Sequence, residues 1–510
     1  MSDALPPRPN LEQLRNRSKD LLKSKRLAEP DAARRIRANH PRFSDASPAE
    51  VARSKFTLID AQLVVAREHG FPSWPKLKEH VEAVLLESGD PVELVKQAFQ
   101  QDDARLVRKI LGRYPELKAR INDPVGPFDS PAITRVRSRQ MLDVLLEAGA
   151  DINAKSRWWA GGFGLLHGAK PDLAAYAIQR GAFVDVHAAA RLGMLERLRE
   201  LVSADPALVR AKGGDGQTPL HFASTVEIAA FLLENGAEID AKDVDHESTA
   251  AQYMIGDRQE IVRYLIRRGC QTDLLMAAAL GDAELVKRHL AEEPDCIHLR
   301  VSDEYFPKAN PHAGGTIYQW TLGWHVSAHD VAKKFGHEHV FQLLMEHSPA
   351  DVKLTVACWN GDKAQVRAVL REEPEIVRRL SDSQKRQVAH AARNNNSVAV
   401  RLMLAAGWPV DALGQHGATP LHWACFHGNV QMAREILRYN PPLEKTDRDF
   451  TSTPLGWAVH GSENGWHCDT GDYPATVEAL LKAGAKPLEK PGGTEAVRKV
   501  LSSGSAGQGG

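Results

Sequence analysis

Short apolar runs at helical spacing recur along the chain, and many of them end on glycine. In Leu145-Leu146-Glu147-Ala148-Gly149-Ala150-Asp151 and in Leu232-Leu233-Glu234-Asn235-Gly236-Ala237-Glu238 an apolar stretch runs straight into Gly. Glycine just past a helix accepts the left-handed conformation that stops it. Comparable stops stand at Gly181, Gly269, Gly407 and Gly484. The spacing is 32 residues from Gly149 to Gly181, 33 from Gly236 to Gly269, and 33 from Gly407 to Asn440. Three starts go with these stops: Thr218-Pro219-Leu220-His221-Phe222-Ala223, Thr419-Pro420-Leu421-His422-Trp423-Ala424 and Thr453-Pro454-Leu455-Gly456-Trp457-Ala458. Threonine can cap the free amides of a first turn, and proline, lacking an amide hydrogen, fits the first helical position. A period this constant predicts a stack of like helical units.

The first two starts match T-P-L-H-x-A, and the third departs from it only where His would stand. On these residues the chain resembles the ankyrin-repeat family from about residue 90 to 490, roughly four fifths of its length. Matching is closest at 215–272 and 415–488. The resemblance implies an all-α fold, a curved solenoid of about a dozen helix pairs joined by extended loops. It gives Thr218, Pro219, Leu220 and His221, and Thr419, Pro420, Leu421 and His422, the role of starting helices and locking them to their neighbours. A slower unit runs beside the first, at 98–115, 190–206, 279–294 and 357–374. Each copy reads as small residue, polar turn, apolar helix and Pro, and the prolines lie 91, 88 and 80 residues apart. Gly193, Gly281 and Gly361 occupy the turn in three copies, Asp102-Asp103 in the first. A higher-order duplication follows.

Ahead of the array, residues 11–87 predict a separate helical module. Its helical stretches run from 11 to about 40, from 58 to 69 before Gly70, and from 76 to 86, with Trp74 anchoring a turn. This block resembles a module that precedes ankyrin arrays in some bacterial proteins, a resemblance that brings no activity. The Pro-rich residues 1–10 and the Ser- and Gly-containing 491–510 read as flexible.

Charge narrows the partner classes. Over 510 residues, 65 Lys and Arg balance 65 Asp and Glu, which argues against polyanion binding as a global role. Residues 1–55 hold a local excess, 13 basic against 7 acidic, including Arg34, Arg35, Arg37 and Arg42. A solvated helix face is the preferred account of it, and nucleic acid is not the expected partner. No stretch approaches the ~18 apolar residues of a membrane span, and the start lacks the apolar core of a secretory signal. Cys270, Cys296, Cys358, Cys425 and Cys468 are scattered without a C-x-x-C, which predicts free thiols in a reducing cytoplasm.

No phosphate-loop, nucleophile-elbow, zinc-protease or dinucleotide motif is present. Gly161-Gly162-Phe163-Gly164 follows two tryptophans rather than a strand. Of 21 histidines, 14 lie between His289 and His467. His460, His467, Cys468, Asp469 and Asp472 cluster, but at no recognised zinc spacing, and no metal or cofactor is expected.

Three irregular segments carry more. One holds Trp158 and Trp159. A second, 302–325, holds Tyr305, Phe306, Tyr318, Trp320 and Trp324. The third, 461–473, holds Trp466 and Tyr473 and adds ten residues to its repeat. Five of the ten tryptophans fall in these three places, where rings either anchor a partner or plug grooves between repeats. The leading expectation is a non-enzymatic scaffold that binds a protein through its concave face and these aromatic loops. The rival is an enzyme or metal-dependent small-molecule binder, with His325, His329, His460, His467 and Asp472 converging on one pocket. Partner identity and oligomeric state are not legible.

Overall fold

The computed structural model describes residues 5–6, 9–88, 90–488 and 492–505. Two compact units divide the chain, residues 1–192 with 213–215 and residues 193–212 with 216–510. Helices dominate both. The one sheet among the described residues pairs Pro124–Gly126 with Ser130–Pro131.

In the second unit, short helices come in pairs. Gln387–Arg393 packs on Ser397–Ala406, Pro420–Phe426 on Val430–Leu437, and Pro454–Asn464 on Tyr473–Lys482. First helices of successive pairs stack on one another, and so do second helices. A continuous apolar core results, running from Leu354 through Met403, Leu421 and Ile436 to Leu480. All six glycine stops adopt the left-handed conformation, with φ between 91° and 102°. In the slower unit, Gly193, Gly281 and Gly361 do the same at φ 70°, 67° and 73°. Asp102 takes that place in the first copy at φ 54°, holding the turn without glycine. Each copy's Pro then sits at or just before a short helical turn, as at Pro115–Arg120, Pro206–Arg210, Pro294–His298 and Ile376–Arg379.

Capping proceeds through the two histidine starts. The Thr419 amide donates to His422 Nδ1 at 3.1 Å, and His422 Nε2 donates to the Ser452 carbonyl of the next repeat at 3.1 Å. His221 repeats the arrangement, with Thr218 on one side and the Ser248 carbonyl on the other. A carbonyl only accepts, so Nε2 carries the proton and Nδ1 is the acceptor in both rings. The Thr218 start differs in length. It opens only a 3₁₀ turn, Pro219–Phe222, because Thr225 already caps the next helix. In the Thr419 repeat that second cap falls to Asn429, three residues later in register, close to one helical turn.

In the first unit, the 11–40 stretch breaks into Leu11–Arg26 and Pro30–Asn39, with Ala28 at φ 55° before Pro30. Trp74 packs on Leu14, Val65, Leu77 and Val81, the anchoring read from sequence. Compactness does not divide the chain at the expected boundary near residue 88. Glu82, 2 % exposed, accepts from Arg105 at 2.7 and 3.0 Å, and Lys78 bridges to Asp103 at 2.8 Å. These pairs tie the N-terminal helices to the first array pair. Three of the four arginines singled out there are held internally: Arg34 by Asp31, Arg35 by Glu68 through both carboxylate oxygens, and Arg42 by the Lys55 carbonyl.

The tail is shorter than expected. Glu495–Ser505 is a helix that packs on Tyr473–Lys482 and buries Val497 and Leu501, four residues apart on one face. Residues 491 and 506–510 of that segment, and 1–4 and 7–8 of the Pro-rich start, lie outside the described residues.

Candidate functional site

The excursion at 302–325 leaves and rejoins the array through a closed neck. Val301 donates to the Val326 carbonyl at 3.1 Å, and His325 donates to the Val301 carbonyl at 2.8 Å. The excursion leans back on the preceding repeat: the Ala309 and Asn310 amides reach the Glu247 carboxylate at 2.8 and 2.7 Å, and Ile317 N reaches Ser248 Oγ at 3.0 Å. The turn Tyr318–Thr321 then sorts its rings. Tyr318 points inward, fully buried, and its hydroxyl donates to Asp273 at 2.9 Å. Burial, above all, pushes that hydroxyl well above its ordinary range and raises the Asp273 carboxyl too. Tyr318 is therefore a plug, contrary to its expected place among partner-binding rings. Trp320, two residues on, is 71 % exposed. Tyr305 and Phe306, half-buried, line a cleft of about 380 Å³ with Lys242, Thr272, Asp273 and Lys308.

The third segment, 461–473, is not all loop, because the helix Pro454–Asn464 runs into it. Tyr473 is buried, donates to the Phe426 carbonyl at 2.9 Å, and lies where a Cβ on Gly428, Gly461 or Gly471 would strike its ring. It too is a plug rather than a contact residue. Trp466 is 58 % exposed, with one face stacked on Trp423 at 5.9 Å.

These two segments, separated by well over a hundred residues in sequence, meet at Arg393. Its guanidinium carbon lies 4.7 Å from the Trp324 ring, 5.2 Å from Trp466 and 5.6 Å from Trp423. Arg393 ends the helix Gln387–Arg393, is 9 % exposed, and burial pulls its pKa down to about 10. Its Nε donates to Gln415 Oε1 at 2.6 Å, and its Nη1 reaches Asn394 Oδ1 at 3.4 Å. Neither partner is charged, and among the described residues no acidic side chain pairs with Arg393.

Imidazoles complete the surround. His325 stacks on His390 with ring centroids 3.5 Å apart, and His427 Nε2 donates to the Arg393 carbonyl at 2.8 Å. Burial first, then neighbouring positive charge, lowers His390 to about 3; burial lowers His427 to about 4 and takes His325 well below its ordinary range. All three rings are neutral near pH 7, which suits packing beside a cation.

The histidines of the rival reading separate. His325 and His467 reach the Arg393 surround from different segments, His467 lying 5.1 Å from the His427 ring. His329 bonds to Ser348 at 2.8 Å, His460 is exposed, and Asp472 caps Tyr473–Lys482 through the Ala475 amide. Cys468 and Asp469 are exposed. None of these residues belongs to a group of three ligand atoms close enough to share a metal ion among the described residues. In the first unit, Trp158 is half-buried with its ring 4.7 Å from Phe128, and Trp159 is 44 % exposed.

Arg393, His390, Trp423 and His427 were not legible as a site. The one available signal is His390 and Arg393, three residues apart in a helix otherwise built of Gln387, Val388, Ala389, Ala391 and Ala392. That spacing sets both on one face.

Comparison with known proteins matches the family model "Ankyrin repeats (3 copies)" at residues 186–276 and 388–490. Ankyrin repeat and SAM domain-containing protein 6 of Mus musculus is 30% identical over 134 residues, 26% of this chain and 15% of that protein. E3 ubiquitin-protein ligase KEG of Arabidopsis thaliana is 24% identical over 251 residues, 45% of this chain and 15% of that protein. A putative palmitoyltransferase ZDHHC13 of Danio rerio is 32% identical over 162 residues, 28% of this chain and 24% of that protein. The chain thus spans less than a quarter of the length of these eukaryotic relatives. No helix among the described residues is long and apolar enough to cross a membrane.

Proposed function

We propose that this ankyrin-repeat protein is a non-enzymatic scaffold that holds a partner protein on the surface formed by Trp320, Trp324 and Trp466, together with the concave face its family implies. One observation carries the reading: two inserted segments bring aromatic rings to one buried arginine while leaving Trp320 and Trp466 open to solvent. Large exposed rings with few rotors suit hot-spot contacts. Trp159 and the half-buried Trp158, Tyr305 and Phe306 are secondary contact residues in this account. Its compartment is the cytoplasm, in keeping with five free cysteines, of which Cys270, Cys358 and Cys425 are buried.

The test is partner capture from the native organism by the unaltered chain and by Trp320→Ala and Trp466→Ala. Capture should fall at least tenfold, about 1.4 kcal/mol, with little change in melting temperature. A lowered melting temperature with unchanged capture would make the rings internal plugs.

A second reading attaches to the cleft beside Asp273. A half-buried carboxyl of raised pKa, with Lys242, Lys308 and two half-buried rings, is a setting for a small ligand. Asp273→Asn, followed by a ligand-library thermal-shift screen against the unaltered chain, separates the two readings.

A further inference from the structure

Arg393 is a cation held in an apolar surround without its counter-charge. Three indole faces lie within cation–π range of the guanidinium. Among the described residues the guanidinium hydrogen-bonds to two neutral amide oxygens and nothing else. Burying a guanidinium this way is unfavourable unless a charge pairs with it, and native structures seldom leave such a group uncompensated.

Unpaired polar atoms collect around the same residue. Both ring nitrogens of His325, Trp423 Nε1 and His427 Nδ1 are buried without a hydrogen-bond partner among the described residues. Each of these side chains is less than a tenth exposed. A neutral imidazole has one N–H to give and an indole has one, so His325 and Trp423 supply donors in want of an acceptor. Arg393 Nη2 makes no hydrogen bond among the described residues and is not one of the fully buried unpartnered atoms. The contact closing Nη1 is the weakest, 3.4 Å to the side chain of exposed Asn394. Trp466 lies over the guanidinium on a segment that is itself exposed.

A cage of three indoles would suit an alkylammonium ligand, but here Arg393 fills the cage and would repel one. What the site lacks is an acceptor with negative charge. A carboxylate fits the guanidinium fork through two parallel hydrogen bonds, and its flanking carbons can lie against Trp324 and Trp466.

We infer that the Arg393 cage is the recognition pocket for a glutamate or aspartate side chain of the partner, set between apolar residues. The inference rests on the scaffold reading and deepens it. The carboxylate displaces the Asn394 carboxamide from Nη1 and engages Nη1 and Nη2, and the neighbouring apolar residues cover Trp324 and Trp466. The partner segment is thus acidic at one position and apolar beside it.

The probe is a capped leucine–glutamate–leucine peptide, with its leucine–glutamine–leucine counterpart and inorganic phosphate as comparisons. Binding to the full chain is followed by the indole N–H resonances and by tryptophan fluorescence. The glutamate peptide should saturate, at least tenfold more tightly than the glutamine peptide, and should weaken as salt is raised. In Arg393→Met that preference should vanish. Equal binding of the two peptides, no saturation by either, or saturation by phosphate alone would overturn the inference. Should Arg393→Met fail to fold, the peptide pair on the unaltered chain still decides. The two readings fail separately. Capture that depends on Trp320 and Trp466, with no preference for glutamate, sinks only this inference. Capture indifferent to both tryptophans sinks the scaffold reading itself.

Discussion

Mild acid should unfold the second unit, and the cause lies in its buried histidines. His329, His422 and His427 are lowered to about 4 and His390 to about 3, in each case first by burial. For His422 the geometry adds a reason. Its Nδ1 accepts from the Thr419 amide, so a proton there removes the acceptor and sets a donor against a donor. Folded pKa values lie below the unfolded 6.5, so the unfolded chain takes up protons first. The stability these rings contribute is complete above about pH 6.5 and is lost progressively as pH falls toward 4. A ring titrating near 4 in the fold loses about 1 kcal/mol between about pH 7 and about pH 5.5, and four such rings on the order of 5 kcal/mol. Carboxylates act lower: Asp449, held at about 2 by Arg448 and His416, gives up its contribution only below the unfolded 3.8. Urea unfolding followed by far-UV circular dichroism at several pH values reads the effect. His422→Gln should be less stable at neutral pH but lose about 1 kcal/mol less over that interval. Stability that stays flat from pH 7 to 5.5, or a His422→Gln slope equal to the parent's, would refute the reasoning.

Further outcomes follow from packing. Leu232→Ala, at a fully buried position, should lower stability by ~2–5 kcal/mol in urea titration. Gly281→Ala should destabilise by ~1–3 kcal/mol, since the position is left-handed and the new Cβ would meet His337 Nδ1 at 2.5 Å. Gly112→Ala is its counterpart: nothing lies within 4 Å inside a regular helix, so a gain of ~0.5–1 kcal/mol is expected, read by melting temperature. Glu82→Gln should loosen the tie between the N-terminal helices and the Ala104–Arg113 helix, measured as faster proteolysis near residue 88. An unchanged cutting rate would mean the two parts are held by packing alone.

The repeat was legible because its landmarks are backbone requirements. A left-handed stop demands glycine or a residue such as Asp102 or Asn440, and a proline start demands a cap, so period and polarity survive in the letters. Helix lengths were less legible. Thr218 and Thr419 open with the same four residues, yet only the distance to the next cap separates a 3₁₀ turn from a full helix. The aromatic segments show the limit most clearly. Tyr318 and Trp320 stand two residues apart in one turn, one sealed against Asp273 and the other in solvent. Composition cannot sort them, because the groove that receives Tyr318 is built by a different repeat. Arg393 was missed for the same reason. Its surround is assembled from Trp324, Trp423 and Trp466, three separate stretches of chain, and no local pattern records their meeting.

The neck at Val301 and Val326 bears on how such an array tolerates inserted chain. Its two ends are clasped by backbone hydrogen bonds, independent of side-chain identity. Chain from 303 to 308, between the neck and the backbone ties of Ala309 and Asn310 to Glu247, can therefore be lengthened, shortened or exchanged with the neck held closed. The entropic penalty rises by only ~0.6 kcal/mol for each doubling of loop length. Residues from Thr316 to Gln319 are the fixed part of the cassette, since they return to the core and seat Tyr318. The excursion is in effect a cassette with a standard fitting, whose outer loop can vary while the stack beneath stays unchanged.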